Sequence, residues 1–247
     1  MKLLTFGCSF TDNDNELREM VNGKYIEPHN TWPVELARLT NTNPICKGMG
    51  GVGNFYITNK IYETVDDPDN SVVIVMWTGI DRIDKVVNKE EFHYFDRYEV
   101  RDGWLHSGGP GMFDRDNELF DKARSRDRYW YNYYKTYHTE EDSYIQTLQH
   151  MIGVQEFLSN RKIPYMFLTY KDIFTDRWRE YKRAKNLENQ VNWDKFHFPN
   201  GEFGGEYEWV RDNNLTWAED KQHPSSESHR KFAEYLYNLD KCRYLFK

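Results

Sequence analysis

Residues able to do covalent chemistry together stand near the two ends of this sequence: Ser9 at one, Asp220 and His223 at the other. A serine hydroxyl becomes a nucleophile when a base takes its proton. Imidazole is such a base, and a carboxylate on its second nitrogen fixes the tautomer and steadies the imidazolium. Ser9, His223 and Asp220 fit those roles. A tetrahedral intermediate also needs donors aimed at its oxyanion, and the loop Gly48-Met49-Gly50-Gly51-Val52-Gly53-Asn54 offers backbone N–H groups. Ser9 and Gly51 are the candidate donors. Taken singly, a Gly-x-Ser turn is more often only a turn, His223-Pro224-Ser225 a helix entry, and a glycine loop a crowded turn. The fold must bring them to one place.

The elements predicted around these residues do so. Met1 to Phe6 reads as a short buried strand, broken by Gly7-Cys8-Ser9. Thr31 as N-cap, Pro33 in the first turn and apolar Trp32, Leu36 and Leu39 predict a first helix. Pro44-Ile45-Cys46 predicts a strand, and Phe55, Ile57, Ile61 and Val65 a second helix starting at Asn54. Ser71 to Trp77 has the unbroken β-branched run of a central parallel strand and ends in the turn Thr78-Gly79-Ile80-Asp81-Arg82. A helix is expected from about Glu141 to Asn160 with Ile145, Leu148, Ile152, Phe157 and Leu158 inward, then a strand over Ile163 to Thr169. Ser225 or Ser226 caps a last helix whose buried stripe is Phe232, Leu236 and Leu239. Strands alternating with helices predict a doubly wound, parallel, three-layer α/β/α sandwich. In such a sheet ligands bind beyond the carboxyl ends of the strands, where all four turns fall.

Composition narrows the rest. The 247 residues suit a single domain, 1–247, with aromatic-rich insertions at about 84–142 and 172–217. A net charge of −7 argues against a nucleic-acid surface. Three cysteines without metal-type spacing suggest reduced thiols, and the start of the sequence shows no signal peptide or membrane span, so a cytoplasmic protein is expected. The other histidines, among them His93, His106, His197 and His229, lack metal-ligand spacing. Aromatic residues reach 17%, most densely at Tyr129-Trp130-Tyr131-Asn132-Tyr133-Tyr134. That run is read first as a helix packed on the domain, and second as a platform for sugar rings.

The four turns together resemble the SGNH (GDSL-type) hydrolase superfamily. Gly7-Cys8-Ser9-Phe10-Thr11 looks like its first block, with cysteine where aspartate is usual, and the glycine loop looks like the second, with Gly51 matching the oxyanion glycine and Gly50 the alternative register. Gly79-Ile80-Asp81-Arg82 stands in place of the Gly-x-Asn-Asp block, and Asp220-Lys221-Gln222-His223-Pro224 matches the Asp-x-x-His block. The resemblance implies a flavodoxin-like sandwich, a Ser9–His223–Asp220 triad, no metal or organic cofactor, and oxyanion or substrate contacts at Gly51, Asn54, Gly79 and Asp81. It also implies a serine esterase or acylhydrolase acting on a small or glycan ester, with O-acetyl groups on a carbohydrate as the substrate class. Oligomeric state is left open. Asp81 departs from the pattern, because an ionised carboxylate repels an oxyanion. Turning toward Arg82, protonation, or replacement by Asn54 would each relieve this, and the first combined with Asn54 is the expectation. The alternative function is a catalytically weak or inactive binding or structural protein. The Gly-Cys-Ser-Phe-Thr block resembles phage-encoded proteins, which would place the protein in a virion or host cytoplasm.

Overall fold

β1 (Lys2–Gly7) is buried for nearly its whole length, and everything in the structure is arranged about it. The structure, a computed structural model, describes residues 1–13, 19–21, 24–26, 30–87, 100–101, 103–108, 128–174 and 180–247. The short strands β2 (Glu19–Val21) and β3 (Lys24–Ile26) pair antiparallel. α1 (Trp32–Thr40) begins at Thr31 as expected, but the Thr31 hydroxyl does not cap it and instead donates to Thr11 O at 3.3 Å, tying the helix start to the turn that carries Ser9. β4 (Asn43–Gly48) is followed by α2 (Asn54–Thr64), which turns Tyr56, Ile57 and Ile61 inward. Phe55, expected on that face, is exposed because it neighbours the buried Asn54 and Tyr56 rather than lying one turn from Ile57.

β5 (Ser71–Trp77) is buried at every position. The segment 84–142 carries a small antiparallel sheet of β6 (Asp84–Val86), β7 (Val100–Arg101) and β8 (Trp104–His106), then α3 (Arg128–Thr136). Trp130 on α3 is 1% exposed and packs with Val87 and Leu105, so this ring of the aromatic run is packing material. In the sequence Gly108-Gly109-Pro110-Gly111 reads as a flexible centre of this insertion, and Gly109, Pro110 and Gly111 lie outside the described residues. α4 (Glu140–Asn160) is capped by Thr139 Oγ1, which accepts from Asp142 N at 3.2 Å. Its fully buried stripe is Tyr144, Leu148, Met151, Val154 and Leu158, while Ile145, Ile152 and Phe157 are partly buried on its flanks.

β9 (Tyr165–Thr169) completes a four-stranded parallel sheet in the order β4-β1-β5-β9. The segment 172–217 holds α5 (Lys185–Glu188) and α6 (Glu206–Asp212), and Phe174, Trp193, Phe196, Phe198 and Phe203 form edge-to-face and stacked contacts that extend the main core. The tail is α7 (Ser226–Asn238), capped by Ser225 Oγ accepting from Ser228 N at 3.2 Å, and then α8 (Asp240–Leu245). α1 packs on α7 on one side of the sheet and α2 on α4 on the other, which makes the three layers. No helix among the described residues is long and apolar enough to cross a membrane.

The chain winds outward from β1 in both directions, with β4 on one side and β5 on the other. The crevice where the winding reverses lies beyond the end of β1. Packing there is close. A methyl group on Gly48 would stand 2.6 Å from both Asp12 N and Thr11 C. Gly48→Ala should therefore push the turn after β1 out of place and cost about 1–3 kcal/mol, measured as a lower urea midpoint with an unchanged slope.

Candidate functional site

The turn after β1 is closed by the Cys8 carbonyl, which accepts from Thr11 N at 2.9 Å and Asp12 N at 3.0 Å. Cys8 points into the core at 0% exposure, and Ser9 stands at the carboxyl edge of the sheet. Ser9 Oγ lies 2.7 Å from His223 Nε2. His223 Nδ1 is hydrogen-bonded to Asp220 Oδ2. With Nδ1 as the protonated nitrogen, Nε2 is free to accept the serine hydrogen. The three residues that sequence placed in one reaction thus stand in one chain of hydrogen bonds.

Asp220 is fixed from below as well. Its Oδ1 accepts from Gln222 N at 2.9 Å and His223 N at 3.0 Å. Burial opposes the charge on this carboxyl, but those two N–H groups and the imidazole outweigh it and hold its pKa below the ordinary value. The loop closes through Ala218 N donating to His223 O at 2.8 Å and Lys221 N to Ala218 O at 3.0 Å, with Lys221 in the left-handed region at φ 57°.

The glycine loop comes to the same edge. A methyl on Gly50 would sit 3.8 Å from Ser9 Cβ, and Gly50 N donates to Asp12 Oδ2 at 2.9 Å. That commits Gly50 N–H and removes the alternative register for the oxyanion donor. Gly51 has φ +80°, a conformation suited to glycine, and its N–H has no hydrogen-bond partner among the described residues. Asp12 is the residue that sequence reasoning missed here. Its signal was an acidic side chain one helical turn beyond Ser9, on a turn whose neighbours are rich in backbone donors.

Asn54 is placed differently from the expectation. Its Nδ2 donates to Thr78 O and to Thr147 Oγ1, each at 3.2 Å, and its Oδ1 accepts from Thr78 N at 3.0 Å. Both amide hydrogens are used, so Asn54 has none left for an oxyanion. It pins the second turn to the third. Asp84 adds to this, accepting from Gly53 N and Tyr56 N at 2.8 Å and meeting His106 Nδ1 at 2.8 Å.

In the third turn a methyl on Gly79 would lie 2.9 Å from Asp81 Oδ1, so the two residues are close neighbours. The Asp81 carboxylate is folded back over Gly79 and interacts electrostatically with Arg82 and Lys171 without a direct ion pair to either. The expected turn toward Arg82 is therefore a longer-range one. Tyr134 Oη donates to the Asp81 carbonyl at 2.7 Å and meets Ser107 Oγ at 2.6 Å, so α3 and the loop after β8 support this turn. Among the described residues no three His, Cys, Asp or Glu side chains come together as metal ligands would.

Phe10, next to Ser9, packs its ring 5.3 Å from His223 and 6.5 Å from His229. His229 Nδ1 lies 2.7 Å from Glu206 Oε1, and both side chains are buried. This acid–imidazole pair joins α6 to α7 behind Phe10. Burial pushes the Glu206 carboxyl well above its ordinary value.

No protein-family model matches the chain, and no curated protein matches it. Among solved structures the fold is similar to that of an α/β hydrolase enzyme from the metagenome of Lake Arreo, Spain, at 15% identity and a TM-score of 0.48, covering 99% of this chain and 95% of that one. A member of the lipolytic protein G-D-S-L family from Veillonella parvula DSM 2008 is similar at 13% identity and 0.43, covering 97% and 98%. A variant of an acetyl xylan esterase from Geobacillus stearothermophilus is similar at 15% identity and 0.44, covering 98% and 94%.

The Glu206–His229 pair gives a pH signature. A carboxyl whose folded pKa is raised contributes stability that is full below its unfolded value and is lost as pH rises toward the folded value. Wild-type stability relative to Glu206→Gln should therefore be greatest below the ordinary carboxyl value of 4.5 and decline as pH rises, measured as urea midpoints of the two proteins over a pH series.

Proposed function

We propose that the chain is a serine hydrolase that cleaves esters through an acyl-enzyme at Ser9. The observation that carries the reading is the continuous hydrogen-bonded path from Ser9 Oγ through His223 to Asp220 at the switch point of the sheet. Ser9 Oγ attacks the ester carbonyl as His223 Nε2 takes the hydroxyl proton, and the carbonyl π electrons move onto oxygen. The oxyanion is received by Gly51 N–H and Ser9 N–H, set by the turn and loop that Asp12 joins. Collapse of the tetrahedral species breaks the bond to the alcohol, which leaves with the proton that His223 returns. Water then repeats the sequence on the acyl-enzyme, and the acid and free Ser9 are the products.

Asp220 stays a carboxylate throughout, holding the imidazole in the tautomer that accepts at Nε2. Asp81 is not among the oxyanion donors in this reading, and its distance from them is set by the fold-back over Gly79. No metal or organic cofactor enters any step. The substrate proposed is an ester of modest size, with O-acetylated carbohydrate as the first class to be tried.

Purified protein should hydrolyse a small activated acetate ester. Ser9→Ala and His223→Ala should each lower kcat by at least about 1,000-fold, and Asp220→Asn by about 10,000-fold, in proteins with wild-type circular dichroism. A serine-directed fluorophosphonate should label Ser9, read by peptide mass spectrometry. A folded protein without turnover and without label at Ser9 would overturn the reading in favour of a binding or structural role.

A further inference from the structure

Two cations stand at the site, and the reaction just described uses neither. The ring of Tyr170 lies edge-on to Phe10 at 5.4 Å, and Phe10 in turn contacts His223. The Arg82 guanidinium sits over the Tyr170 ring at 5.2 Å, and Lys171 Nζ is 5.4 Å from the same ring. Arg82 Nη1 donates to Val52 O at 3.4 Å, so the guanidinium also abuts the loop that carries Gly51. Methyl positions on Gly79 would fall 3.5 Å from Tyr170 Oη and 3.8 Å from Arg82 Cγ, which places both against the third turn. The positive charge is thus bracketed by the nucleophile turn, the glycine loop and the Asp81 turn.

Resting on the hydrolase reading, we propose that the ester it cleaves carries an anionic group, such as a carboxylate, received by Arg82 and Lys171 beside Tyr170. The local charges favour this. Asp12 is hydrogen-bonded to Gly50 N and Asp220 to His223, and Asp81 is the carboxylate that acts on both cations. Arg82 and Lys171 place two positive charges around one ring, in a chain whose net charge is −7. Two adjacent cations on an acidic chain give an anion a local attraction. The chemistry of the two side chains fits as well. A guanidinium is a planar fork with five N–H donors, and Val52 O and Cys8 engage only part of it. Burial works against the charge on Lys171, but Tyr170 and Asp81 outweigh it and raise its pKa, so the exposed ammonium stays positive at neutral pH. Neither group is needed to move a proton in the proposed mechanism. Both are positioned to select which ester stays long enough to react.

The test uses two matched pairs of aryl esters with the full-length protein. In one pair the charge is on the acyl side, 4-nitrophenyl hemisuccinate against 4-nitrophenyl butyrate. In the other it is on the alcohol side, 4-acetoxybenzoate against 4-acetoxybenzamide. Within at least one pair the anionic member should show the higher kcat/KM by about tenfold or more, mainly through KM, and the ratio should fall as salt is raised. Lys171→Gln and Arg82→Gln should each bring that ratio toward one. Arg82→Lys, which keeps the charge and loses the fork, should retain part of it. Because Arg82 is half-buried, the surface variant Lys171→Gln keeps the test open if Arg82→Gln fails to fold. Ser9-dependent hydrolysis with no anionic preference in either pair, or a preference that survives Lys171→Gln and every folded Arg82 variant, would overturn the inference and leave the hydrolase reading standing. Absence of Ser9-dependent hydrolysis of all four esters would overturn both.

Discussion

Close approach of backbone to backbone at the end of β1 is the constraint from which the site follows. Gly7 and Gly48, paired in the parallel register of β1 and β4, both lie against the Thr11–Asp12 segment. A methyl on Gly7 would be 2.3 Å from Thr11 Oγ1 and 3.0 Å from Met76 O, so the turn is wedged between the ends of three neighbouring strands. Because the Cys8 carbonyl accepts from two successive N–H groups, the turn has little freedom to open. Ser9 is delivered to the crevice by sterics first, and its hydrogen bond to His223 is made from a position already set.

The supports around it are mostly polar contacts between turns. Asp12 holds the glycine loop, Asn54 joins that loop to Thr78, and Asp84 binds the N–H groups at the start of α2. Buried carboxylate and amide side chains are costly unless every polar atom finds a partner. Here the partners are main-chain groups of the neighbouring turn, which makes each of these residues a spacer of defined length. Asp84 also links the sandwich to the small sheet of β6, β7 and β8 through His106, so that insertion and glycine loop share one anchor.

Much of this was legible in the sequence because it rests on short-range chemistry. The β-branched run of β5, the helix start at Ser225 and the order of the four turns all follow from local pattern, and local pattern suffices to place Ser9, Asp220 and His223 at one sheet edge. The role of Asn54 was not legible in this way. Its neighbours in sequence are a glycine loop and a helix, while its hydrogen-bond partners, Thr78 and Thr147, are 24 and 93 residues away. The same is true of Asp12 and Gly50, of Tyr134 and the Asp81 carbonyl, and of Arg82 and Tyr170: none has a spacing that betrays it, because the sheet decides which residues meet. The aromatic run at Trp130, read first as a helix packed on the domain and second as a platform for sugar rings, has that ring packed against Val87 and Leu105, as the first reading expects.

The two hydrogen bonds of the path from Ser9 to Asp220 differ greatly in how far apart their partners lie along the chain. Asp220 and His223 are three residues apart, whereas Ser9 and His223 are separated by 214. The first pair is a local turn that a peptide of a few residues contains in full; the second closes a loop across a separation of 214 residues. In order of synthesis Ser9 precedes His223 by 214 residues. Under the proposed reaction Ser9 is therefore an ordinary hydroxyl until the sheet has closed and α7 has docked on α1, and labelling of that one hydroxyl would report the completed fold.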